Sequence, residues 1–203
     1  MPDFDRRREA LLAAAARVFA ARGYDRTSMR DLARASRMSL AGMYYYVAGK
    51  EDLLYEIQKG CFERVRAGAL EAVAATSGAG GGNPEERLRA FIRHHLTFFA
   101  NHMDEMKVLS HEAESLSGAP LQEVRELKRS YVDLLLGLVA DVESGDGSPP
   151  PRVNRHVAVY TLFGMMNWIY TWYDPKGSVG VEELAESICR LFLYGYAAEV
   201  HVR

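Results

Sequence analysis

Histidine and cysteine are the side chains that most readily do covalent or metal chemistry, and their spacing in this chain argues against both. A di-iron carboxylate bundle needs Glu three residues before His. Here Phe91, Ile92, Phe99, Val108, Val153 and Ala198 stand three residues before His94, His95, His102, His111, His156 and His201. His111-Glu112 lacks the second histidine of a zincin. His94 and His95 are sequence neighbours, so on a helix they point roughly 100° apart and chelate poorly together. Cys61 and Cys189 are too few for a zinc cluster or a disulfide framework. The glycines at 80–82 run into Asn83-Pro84, a linker rather than a phosphate-binding loop, and no nucleophile elbow is present. Catalytic residues, metal ligands and cofactors are therefore not expected, and an all-α enzyme is the disfavoured alternative.

The chemistry that remains is recognition. Residues 1–50 hold ten Lys and Arg against five Asp and Glu, a charge of +5 in a chain whose total is −2, which leaves −7 on the rest. A basic head on an acidic body suits a polyanion held at one end, although a merely solvated basic face stays open on charge alone. The composition, 48% hydrophobic and 26% charged, is that of a well-cored globular protein. No apolar run approaches the ~18 residues of a membrane span. The charged N-terminus, Met1 to Glu9, is not a leader, and two cysteines suit a reducing compartment. No membrane partner and a cytoplasmic location are expected.

The elements that must position these groups all read as helix, because apolar residues recur at three and four and strand alternation is scarce. The predicted fold class is all-α. A first helix over about 6–22 places Leu11, Leu12, Ala15, Val18 and Phe19 on one face and stops at Gly23. Thr27-Ser28 offers an N-cap to a short helix with Met29, Leu32 and Ala33, and Ser39 caps a third from Leu40 to about Tyr46. A fourth helix spans about 51–76. Beyond it come Gly/Ser/Pro-rich linkers at 77–83 and 144–151, helices from Pro84, around 104–114 and from Pro120, and two closing helices at about 152–173 and 181–200. The second and third helices are too short to stand alone, so the first must supply their core. Three such helices with a short central turn form a helix-turn-helix.

Residues 28–54 carry more than the architecture. Leu32-Ala33, a turn, Ser39, Met43-Tyr44-Tyr45-Tyr46 and Lys50-Glu51-Asp52-Leu53 follow one another in an order and spacing that resembles the DNA-binding signature of the TetR family of transcriptional regulators. Arg37 stands where that family usually has a turn glycine, and Val47 where it has an aromatic. The resemblance implies a head at 1–50 that binds double-stranded operator DNA and a body at 51–203 that binds an effector and dimerises.

Residue chemistry then suggests roles in the head. Leu40 and Gly42, small or apolar at the start of the third helix, favour close approach to thymine methyls. Arg30 is the best candidate for a bidentate guanine contact. Tyr44, Tyr45 and Lys50 suit phosphates, as do the hydroxyls of Ser28 and Ser39, which serve equally well as helix caps. By period, Met43 and Val47 should face inward.

Asn167-Trp168-x-x-x-Trp172-Tyr173-x-Pro175-x-Gly177 resembles the TetR branch that controls fatty-acid, sterol or other acyl-CoA catabolism. That implies a repressor released by an apolar-tailed effector such as an acyl-CoA; a regulator without effector is the alternative. Phe91, His95, Phe98, Phe99, Leu134, Phe163, Met166, Asn167, Trp168 and Trp172 are the candidate pocket residues. The aromatic and Met residues among them could equally fill a core or a dimer interface. For the homodimer, Gly164 and Gly195 permit close helix approach, and Trp168, Ile188, Leu191 and Phe192 supply area. A two-fold pair of heads would read a palindrome.

Overall fold

A computed structural model describes residues 2–76, 82–144 and 153–197. Nine α-helices follow one another among these residues: α1 (Pro2–Arg22), α2 (Met29–Ser36), α3 (Leu40–Tyr44), α4 (Lys50–Ala75), α5 (Pro84–Asn101), α6 (Met103–His111), α7 (Gly118–Ser144), α8 (Arg155–Asn167) and α9 (Val181–Phe192). A 3₁₀ turn (Trp168–Thr171) extends α8, and a π turn (Leu193–Ala197) extends α9. No strand occurs among the described residues. The expected linkers at 77–83 and 144–151 lie largely outside the described residues, as does the predicted last-helix end beyond 197.

The chain forms two compact units, Met1–Glu63 with His102–Leu127, and Arg64–Asn101 with Lys128–Arg203. The motif-based division at 50/51 follows the DNA-binding signature. The compact units follow packing instead, so the head also takes the first half of α4, all of α6 and the start of α7. Both α4 and α7 give residues to each unit.

In the first unit, Leu11, Ala15 and Phe19 from α1, Leu32 from α2 and Met43 from α3 form the core with Leu53, Leu54 and Ile57 of α4. Val108, Leu116 and Val124 close it. The caps are as local chemistry requires. Ser28 and Asp31 form a reciprocal capping box on α2: Ser28 N–H donates to Asp31 Oδ2 at 3.0 Å, and Asp31 N–H donates to Ser28 Oγ at 3.3 Å. The hydrogen bonds from Ser28 hold the Asp31 carboxyl below its ordinary range. Gly42 N–H donates to Ser39 Oγ at 3.0 Å, capping α3.

In the second unit, α5 packs along α9, and α8 touches both. Gly68 lets His94 lie against α4, since a Cβ there would stand 2.4 Å from His94 Cε1. His94 Nε2 in turn meets the Val65 carbonyl at 3.1 Å.

Candidate functional site

The head presents a compact recognition surface. Met43 and Val47 are buried, as the period predicts, which turns Tyr44 and Tyr45 outward and leaves Tyr46 half-buried. Tyr45, directly after α3, is 74% exposed. Leu40 is exposed at the start of α3, and Arg30 on α2 is exposed too. The turn between α2 and α3 closes through Arg37, which adopts φ 56° and ψ 34°, the left-handed conformation a glycine would take without strain. Met38 N–H then reaches back to the Ala33 carbonyl at 3.0 Å and satisfies the helix end.

Lys50 does something the sequence reading did not foresee. Its ammonium donates to the Tyr24 carbonyl at 2.9 Å and lies 4.0 Å from the Tyr24 ring centroid, a cation–π contact. The side chain suited to phosphate also holds the loop between α1 and α2. Tyr24 is clamped from its other side by Glu112, whose Oε1 accepts the Tyr24 N–H at 2.9 Å. Buried Gln58 donates to the Glu112 carbonyl at 2.8 Å, and Ser115 Oγ donates to Glu112 Oε2 at 2.7 Å. Residues far apart in the chain therefore hold the loop between α1 and α2. No local motif at Glu112 or Gln58 announces this, and only the fold brings them to the turn.

Among its described residues, the second unit holds a polar cluster inside an aromatic shell. His95 is buried, with Nδ1 3.0 Å from the Tyr131 hydroxyl and Nε2 3.1 Å from Asn167 Oδ1. The amide oxygen can only accept, so Nε2 carries the proton and Tyr131 donates to Nδ1. Burial pushes the His95 pKa down to about 3, so the ring is neutral. Phe91, Phe99 and Phe163 pack around it at centroid distances of 6.3, 4.8 and 5.8 Å.

Of the candidate pocket residues, Phe91, His95, Phe99, Phe163 and Asn167 come together here. Met166 is buried, while Phe98 and Leu134 are half-buried. Trp168 and Trp172 do not join them: they are 60% and 59% exposed. The reason is local. Trp168 and Trp172 follow exposed Val157, Tyr160 and Gly164 at three- and four-residue spacing, so they continue the outward face of α8 rather than the buried one that carries Val159, Leu162 and Met166. Tyr131 was missed as a member of the cluster because, in an apolar stripe, its period reads as plain core.

The interface candidates separate as well. Ile188 and Phe192 are buried within their own unit and cannot serve a partner's surface directly. Gly164, Trp168, Leu191 and Gly195 are exposed. Val157 and Tyr160 join them, so α8 carries a second apolar face opposite Val159, Leu162 and Met166.

A helix-turn-helix head with an exposed recognition helix, on a chain whose second helical unit encloses a polar group in aromatic walls, defines a DNA-binding regulator. The family model for bacterial regulatory proteins of the tetR family matches residues 11–57, and that for a tetracyclin repressor-like C-terminal domain matches 81–196. The chain belongs to the TetR family; it is a regulator and not an enzyme.

It is 25% identical over 199 residues to the HTH-type transcriptional repressor KstR2 of Mycobacterium tuberculosis, covering 95% of this chain and 94% of that one. The crystal structure of AibR in complex with isovaleryl coenzyme A and operator DNA is 32% identical, with a TM-score of 0.78 over 91% of this chain and 97% of that one. A TetR-family regulator from Bordetella parapertussis is 26% identical, with a TM-score of 0.83 over 94% and 96% of the two chains. No helix among the described residues is long and apolar enough to cross a membrane.

Proposed function

We propose that the protein is a ligand-responsive repressor, dimeric on a palindromic operator and released by an acyl-CoA whose acyl part enters the aromatic core of the second unit. The observation that carries this reading is the neutral His95 held between Tyr131 and Asn167 inside phenylalanine walls. With Asn167 Oδ1 taken by the imidazole, the Asn167 amide N–H groups are donors of the kind a carbonyl, as in a thioester, accepts from. The surrounding rings suit an uncharged apolar tail. The similarity to AibR, whose structure contains isovaleryl coenzyme A, supports the same ligand class. The second apolar face on α8, with exposed Leu191 and Tyr194 beyond it, supports a second copy as the cover.

Release of DNA requires that the effector prefer a conformer that binds the operator poorly. Thermal melting and DNA-binding titrations with short, branched and steroid-derived acyl-CoAs, against the matching free acids, test this. At least one acyl-CoA should raise Tm and weaken operator binding, and sedimentation of the free protein should give two copies. If no acyl-CoA did either, the effector assignment would fail, and a regulator without a small-molecule effector would take its place.

A further inference from the structure

Phe4, in the first turn of α1, reaches the two tyrosines that follow the recognition helix. Phe4 lies 5.7 Å from Tyr45 in an edge contact at 77°, and 4.8 Å from Tyr46. Tyr45 and Tyr46 complete the cluster at 5.2 Å and 89°. One turn on, Arg8 pairs with Glu56 of α4 at 2.6 Å, so the start of α1 is fixed against two neighbours. Phe4 is itself exposed, and its partner Tyr45 is the most exposed large ring of the head. An exposed Phe covering an exposed Tyr contributes little to the core, and it has no polar atom to offer DNA. Its ring contacts are with the two tyrosines beside it.

We propose that Phe4 is a positioning residue for DNA binding: it holds the Tyr45 phenol in the orientation that meets a backbone phosphate. The inference rests on the reading of Tyr45 as a phosphate contact. A phenol at the end of a five-residue helix has few neighbours of its own to fix its torsions. Each rotamer frozen on binding costs affinity, and a ring edge packed against it beforehand removes part of that cost. The proposed effect on DNA acts through Tyr45, whereas the contact with Tyr46 only seats Phe4, so Phe4 should matter to binding only while the Tyr45 hydroxyl is present.

The experiment is a double-substitution cycle on the full-length protein, using a duplex selected by that protein from random-sequence DNA. Phe4→Ala should weaken binding about three- to tenfold. Tyr45→Phe, which keeps the ring and removes the hydroxyl, should weaken it as well. In the Tyr45→Phe background, Phe4→Ala should then cost nothing further, and Phe4→Trp should restore binding to the otherwise native chain. Phe4→Leu gives the same readout should the alanine variant fold poorly by its Tm. An equal loss from Phe4→Ala in both backgrounds would show a general structural role and overturn the inference, as would no loss in the native background. Unchanged affinity for Tyr45→Phe would instead refute the phosphate reading of Tyr45, and the inference with it.

Discussion

In the first unit the buried polar side chains, Thr27 and Gln58, both bond to backbone carbonyls: Thr27 Oγ1 to Gly23 and Gln58 Nε2 to Glu112. Among the described residues of the second unit the buried polar side chain, His95, bonds instead to two other side chains. The difference has consequences. A side chain tied to backbone fixes the course of the chain, which a DNA-reading head needs because a recognition helix must meet the groove at a set angle. A side-chain network in an apolar core fixes no chain path. It can exchange one partner for a ligand's polar group, provided every member stays satisfied.

The largest effect expected from this contrast is at His95. His95→Ala removes a buried ring and leaves the Tyr131 hydroxyl and Asn167 amide without their partner, which should cost about 3 kcal/mol or more in urea denaturation. A loss under about 1 kcal/mol would mean that the phenylalanine walls hold the core without the network. The same residue sets a pH dependence. Folding lowers its pKa from the ordinary 6.5 to about 3, so between those values the unfolded chain takes up a proton that the folded chain excludes. Its contribution is complete above the unfolded value and is lost as pH falls, by up to about 1.4 kcal/mol per pH unit. Burial lowers His94 in the same direction. His95→Gln should flatten the measured slope below pH 6.5, and an unchanged slope would place the titration elsewhere.

The head should respond more locally. Glu112→Ala frees the Tyr24 N–H and should cost about 1–2 kcal/mol. Its sharper signature is hydrogen exchange, with the Tyr24 amide protected in the native chain and exchanging faster in the variant. If exchange accelerated throughout the second unit instead, the head would not be held by its own backbone ties.

These two regions were also unequally legible in the sequence. Leu32-Ala33, the caps Ser28 and Ser39, and the inward Met43 and Val47 all follow from rules that act within a turn or two of helix, and the structure has them so. The Tyr24 clamp was not legible, because Lys50, Gln58 and Glu112 meet it only through the tertiary fold. In the second unit the period identifies apolar faces but not what covers them. On α8 both faces are apolar, so Phe163 and Met166 on the buried side read no differently from Tyr160 and Trp168 on the exposed one. Ile188 and Leu191 are three residues apart on α9, near enough in phase that period alone could not send one inward and leave the other outside.

The smallest effect separates two reasons for Arg37. Its left-handed backbone costs about 1 kcal/mol relative to glycine. Glycine gives back part of that gain through its greater freedom when unfolded. Because the side chain is exposed, Arg37→Gly removes little packing, and it should raise stability by about 0.5–1 kcal/mol with the turn unchanged. The salt dependence of operator binding then decides why an arginine sits at this position. An unchanged slope would leave the guanidinium merely solvated, so that the turn is strained without a gain in binding. A slope smaller by about one phosphate's share per protomer would mean that the strain is kept because it aims a charge at DNA. In that case the head, which otherwise owes its rigidity to backbone ties, would place one phosphate contact through a strained turn.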